Sequence, residues 1–85
     1  MMMALIPMPA SSKNIVGPRV NAARLRAKPP MTQMQLAEAL AEEGVAIDRA
    51  GISKIEIGDR SVYDFEVKAL AKVLGVTLDW LLKDG

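Results

Sequence analysis

Helix-breaking residues recur at short intervals along this chain, and they decide what it can fold into. Lys28-Pro29-Pro30 must end a helix, because a residue placed before proline is pushed out of the α region. Gly44, Gly58 and Gly75 each follow an apolar-periodic segment, where a left-handed glycine commonly closes a helix. Start signals lie between these stops. Gly17-Pro18 puts proline at the first helical position, where its missing N–H costs nothing. Thr32 offers a capping hydroxyl, and Gln35, three residues on, completes a capping box. Asp48 and Thr77 are further N-caps. The punctuation predicts five helices: about Pro18–Ala27, Thr32 to near Gly44, Asp48 to Gly58, Asp64–Leu74, and a short one after Thr77. No strand pattern, repeat or low-complexity tract interrupts them. The expected fold class is all-α, a compact five-helix bundle.

The apolar residues say which faces turn inward. Val20, Ala23 and Leu25 are expected to do so in the first helix, and Leu36, Ala37 and Leu40 in the second, with Glu38, Glu42 and Glu43 facing water. Met31 is placed to staple the second helix. Val67, Leu70, Ala71 and Leu74 form the stripe of the fourth, while Leu78, Leu81 and Leu82 are available to close the core. Trp80 either caps that core or forms a dimer contact. The third helix is two-faced. At about 100° per residue, Arg49, Ala50, Ser53, Lys54 and Ile57 share one arc, and Gly51, Ile52 and Ile55 lie opposite. So short a helix cannot stand alone. It needs support behind and something for its cationic arc to face.

Composition narrows what that something is. The 85 residues make one small domain, 51% apolar and mostly aliphatic, without cysteine or histidine. Disulfides, thiolate metal sites, cysteine nucleophiles and Ser–His arrangements are thereby excluded. Asp, Glu and Lys alone form no constellation resembling a catalytic site, so no enzyme activity, metal or cofactor is expected. Met1–Ala10 is apolar but short and broken by Pro7 and Pro9, too short to span a bilayer. It also lacks the basic start of a secretory signal. Residues 1–14 are expected to be a flexible arm, and 15–85 the folded domain, of a cytoplasmic protein with no membrane partner. Net charge is +1, but residues 1–31 carry five bases and no acid, whereas 32–85 carry six bases and ten acids. Such asymmetry allows a basic face on a nearly neutral molecule.

Three motifs in order then resemble a known family: Thr32-Gln33-x-x-Leu36-Ala37, Ile52-Ser53-Lys54-Ile55-Glu56-x-Gly58 and Leu70-Ala71-Lys72-x-Leu74-Gly75-Val76. Together, over about residues 15–83, they are similar to the Cro and phage-repressor type of helix-turn-helix protein (XRE-like, lambda-repressor-like). The resemblance implies a lambda-repressor-like bundle with a central helix-turn-helix. It implies a second helix whose N-terminal end touches phosphate and a third helix, about 48–57, in the major groove of double-stranded DNA. Gln33 matches a backbone-contacting glutamine, Arg49, Ala50, Ser53 and Lys54 fall at recognition positions, and Arg60 lies in a loop that often meets phosphate. Glu56, at the edge of the buried arc, is implied to pair with Arg24 of the first helix.

The chemistry of these side chains is compatible. Arginine pairs with guanine O6 and N7, worth about 1–3 kcal/mol of discrimination. Lysine suits phosphate, serine either backbone or base, and the methyl of Ala50 a thymine. Ile57 either meets a thymine methyl or is simply exposed. The chain departs from the family in three places. The link around Glu42–Ile47 exceeds the usual three- or four-residue turn, Ala50 and Gly51 thin the direct readout, and the loop Ala27–Met31 is extended. The expected function is sequence-specific DNA binding in transcriptional regulation, as a homodimer on two half-sites. The alternative is a protein-interaction module that keeps the fold with little base readout.

Overall fold

In a computed structural model of the protein, which describes residues 12–83, five α-helices follow in order. They are α1 (Gly17–Arg26), α2 (Gln33–Glu42), α3 (Arg49–Glu56), α4 (Asp64–Leu74) and α5 (Leu78–Leu82). There is no strand among the described residues. The starts of α2, α3 and α5 are capped by the expected side chains. Thr32 Oγ1 accepts from the Gln35 N–H at 3.0 Å while Gln35 Oε1 accepts from the Thr32 N–H at 2.8 Å, so both amides at the head of α2 are satisfied. Asp48 Oδ1 accepts from the Gly51 N–H at 2.8 Å, and Thr77 Oγ1 from the Trp80 N–H at 3.0 Å. The ends of α2, α3 and α4 are Schellman closures: Val45 N–H reaches Leu40 O, Asp59 N–H reaches Lys54 O and Val76 N–H reaches Ala71 O, at 2.8–3.0 Å.

The core is a small aliphatic cluster in which Val16, Val20, Leu36, Leu40, Ile52, Ile55, Leu70 and Leu81 are the fully buried large side chains. Each helix supplies at least one of them. Helix α3 packs on both α1 and α2, and α4 packs on α1, α2 and α5. The long α2–α3 link does not splay this arrangement, because Val45 and Ile47 are themselves buried within it. Met31 and Trp80 pack against the cluster from its edge, as core closure requires.

Two inward assignments are corrected. Leu25 is 54% exposed, and the buried residues on its side of α1 are Val20, Ala23 and Arg24. Those three fill the i, i+3, i+4 face, which leaves Leu25 a further 100° round the wheel. In α5 only Leu81 is buried, while Leu78 and Leu82 remain 43% and 44% exposed. Leu81 and Leu82 are neighbours about 100° apart, so a helix this short cannot send both into one core. Most of the arm expected over residues 1–14 lies outside the described residues. Its last three, Ser12–Asn14, are tied to the fold: the Lys13 N–H donates to Gly58 O at 2.8 Å, and Asn14 Nδ2 donates to Ile55 O and Arg60 O at 3.1 and 2.8 Å.

Candidate nucleic-acid interface

The two faces of α3 separate as its periodicity requires. Ile52 and Ile55 are fully buried, whereas Arg49, Ala50 and Lys54 are exposed, Ser53 is partly so, and Ile57 is 67% exposed. Within the described residues, no side-chain hydrogen bond or ion pair engages Arg49, Ser53 or Lys54, so their polar ends are unspent. Arg49 also lines a shallow groove of about 500 Å³ with Thr32, Gln33 and Met34 from the head of α2. The head of α2 and the first turn of α3 therefore present one continuous surface.

Beneath that surface lies a carboxylate hub. Arg24 Nε donates to Glu56 Oε2 at 2.8 Å and Arg24 Nη2 to Glu56 Oε1 at 3.0 Å, a two-point pair with both side chains nearly buried. Glu56 Oε1 also accepts from Asn21 Nδ2 at 2.9 Å and from Gln33 Nε2 at 3.2 Å. A third guanidinium nitrogen, Arg24 Nη1, donates to Met31 O at 2.9 Å and so binds the α1–α2 loop. Burial pushes the Glu56 carboxyl up, but the hydrogen bonds from Arg24, Asn21 and Gln33 and the charge of Arg24 outweigh it and hold it below its ordinary 4.5. The Arg24–Glu56 pair expected from the family pattern is present, and Gln33, expected as a phosphate contact, is oriented by it. One amide hydrogen of Gln33 is used and the other is left.

Arg60 is differently placed from a free loop arginine. Its Nη1 and Nη2 grip Glu66 Oε1 and Oε2, both at 3.0 Å, and Nη1 also donates to Ser61 O at 2.9 Å. The Nε–H and one Nη2–H stay available, since a guanidinium has five N–H donors. Glu66 in turn accepts from the Tyr63 N–H at 3.0 Å, and its carboxyl is held below 4.5, first by Arg60. Sequence reasoning missed Glu66, although a glutamate three residues after the first residue of a helix boundary is a known cap signal. It also missed Asn21 and Asn14; Asn21 bonds Glu56 and the Asn14 amide bonds Ile55 O and Arg60 O, all far away in the chain, while Asn14 Oδ1 accepts from the nearby Gly17 N–H at 2.8 Å.

Two glycines fix how α3 sits. A Cβ on Gly17 would collide with Ile55 O and come within 2.9 Å of Glu56 O, so the first turn of α1 rests directly on the α3 backbone. A Cβ on Gly51 would come within 2.9 Å of Ile47 Cγ2 and 3.2 Å of Asp48 Oδ1. Gly51 is thus where the long link folds back against α3, a packing reason for a residue that in the sequence only thins the direct readout.

The described residues include no cluster of three or more His, Cys, Asp or Glu fit to hold a metal, and no helix long and apolar enough to cross a membrane. A family model described as helix-turn-helix matches residues 23–81, from within α1 into α5. None of the curated proteins compared with the chain matches it.

Proposed function

The chain belongs to the helix-turn-helix family of DNA-binding domains, with the lambda-repressor-like five-helix fold, and from that premise we propose that it binds double-stranded DNA sequence-specifically as a transcriptional regulator. Helix α3 enters the major groove. Arg49 pairs with a guanine, Ala50 offers a methyl to a thymine, Ser53 meets backbone or base, and Lys54 meets phosphate. Gln33 spends its remaining amide hydrogen on phosphate, and Arg60 its remaining N–H groups. Because one α3 spans few base pairs, the working species is a homodimer on half-sites one helical turn apart, in the cytoplasm. The observation that carries this reading is the outward arc of α3, cationic, largely exposed and free of side-chain partners among the described residues, on a helix whose other face is anchored by Ile52 and Ile55.

A mobility-shift series on random and selected duplexes over a range of salt tests it. Affinity falls steeply with salt, as counterion release demands. Arg49→Ala relaxes the preference for the selected site, whereas Lys54→Ala weakens all duplexes alike and reduces the salt slope by about one per protomer. A second reading, a protein-interaction module, is favoured by the internal engagement of both Gln33 and Arg60 with carboxylates. No retardation at low salt would select it.

A further inference from the structure

Met34 and Arg49 are common to two shallow grooves on the surface shared by α2 and α3. One is the groove of about 500 Å³ beside Thr32 and Gln33 at the head of α2. The other, about 710 Å³, is walled by Glu38 of α2 and by Asp48, Ala50 and Gly51 at the head of α3. The two side chains thus form the ridge between the grooves, one from each helix of the pair. Met34 is 51% exposed and lies outside the core cluster, so no packing within the fold accounts for its size. We propose that Met34 reads the 5-methyl group of a thymine next to the guanine taken by Arg49. The proposal rests on the DNA reading above and adds to it a base-reading residue from α2.

Position comes first. Arg49 is in the first turn of α3, the end that meets base edges in this docking mode, and Met34 stands beside it along both grooves. Charge then says which part of a duplex nears the ridge. Glu38 and Asp48 in the larger groove repel phosphate oxygens, and a methionine has no hydrogen-bond donor to offer a phosphate. A base edge is left. Of the groups that base edges display in the major groove, the amino hydrogens, carbonyl oxygens and ring nitrogens are polar, and the thymine methyl is apolar. Set against a polar edge, Met34 would strip water from it and return no hydrogen bond. Set against a methyl, it removes apolar surface from water on both partners. Its unbranched thioether chain adapts to such an uneven surface.

The test removes one methyl at a time. Each thymine of the selected duplex is replaced in turn by deoxyuridine, which lacks only the 5-methyl, and affinities are measured by mobility shift for the parent, Met34→Ala and Met34→Leu. Both variants should fold, because Met34 is half exposed and outside the core. The parent is expected to lose about fourfold in affinity at the thymine Met34 meets. Met34→Ala binds the thymine and deoxyuridine duplexes equally at that position, and Met34→Leu, which keeps an apolar side chain of similar reach, still tells them apart. A Met34→Ala variant that keeps the discrimination, or that weakens every duplex alike without altering it, would overturn the proposal and leave DNA binding standing. So would a parent that binds the selected duplex but is insensitive to every thymine methyl. A parent that retards no duplex even at low salt would overturn the DNA reading itself, and this proposal with it.

Discussion

Glu56 and Glu66 are both gripped at two points by an arginine and both have nearly buried side chains, yet they do different work. Glu56 gathers Asn21 and Arg24 from α1 and Gln33 from α2, partners 23 to 35 residues away. It sets where three helices lie relative to one another. Glu66 takes Arg60 and the Tyr63 N–H, six and three residues away, and so shapes one loop and the head of one helix. Their electrostatics differ accordingly. At Glu56 burial is the largest influence and several donors must overcome it, whereas at Glu66 the Arg60 hydrogen bonds are themselves the largest. The same pair of residue types is an inter-helix tie in one setting and a loop brace in the other, and sequence distance between partners decides which.

The sharpest way to break the comparison is to remove each carboxylate. Glu56→Ala leaves Arg24 nearly buried and unpaired and strands Asn21 and Gln33, so unfolding in denaturant should show a loss of about 3–5 kcal/mol. Glu66→Ala should cost less, about 1–3 kcal/mol, because Arg60 is 27% exposed against 11% for Arg24 and can recover hydration. Equal losses would mean that the loop brace matters as much as the inter-helix tie. Acid sharpens the same point. Both folded-state carboxyls lie below 4.5, so their contribution is complete above that pH and is lost as pH falls through the lowered values. Thermal midpoints should therefore drop below about pH 4.5, and each alanine variant should drop less steeply than the parent. The Lys72–Glu43 pair provides the lower bound. Its bond is short, 2.8 Å, but Lys72 is 70% exposed, and Lys72→Ala should shift stability by no more than about 0.5 kcal/mol.

The division between what was legible in the sequence and what was not follows the same line. Thr32, Gln35, Asp48, Thr77 and the closing glycines act within a few residues, and each could be identified from its neighbours alone. Arg24–Glu56 is a long-range contact, and only the resemblance to the helix-turn-helix family made it visible. Nothing local announces that the Asn14 amide donates to carbonyls 41 and 46 residues further along the chain. The Arg60 brace was hidden because a loop arginine has the same local appearance whether it faces solvent or a carboxylate. Leu25, Leu78 and Leu82 were misplaced because periodicity describes a stripe, whereas the width of the core behind it depends on neighbouring helices. Gly51 was read only as thinning the outward readout, and its packing against Ile47 appears only once the long link is folded.

The direct seating of α1 on the α3 backbone has a consequence for how such a protein can change. Helix α3 is held by its buried isoleucines and by contacts to its main chain from Gly17 and Asn14, with Lys13 bound to Gly58 just past its end. Support and display are thereby separated: one set of atoms positions the helix, and another set faces outward. Positions 49, 50, 53 and 54 can be rewritten in lineage divergence or by an engineer without renegotiating the fold. The scaffold is in that sense a socket with exchangeable teeth.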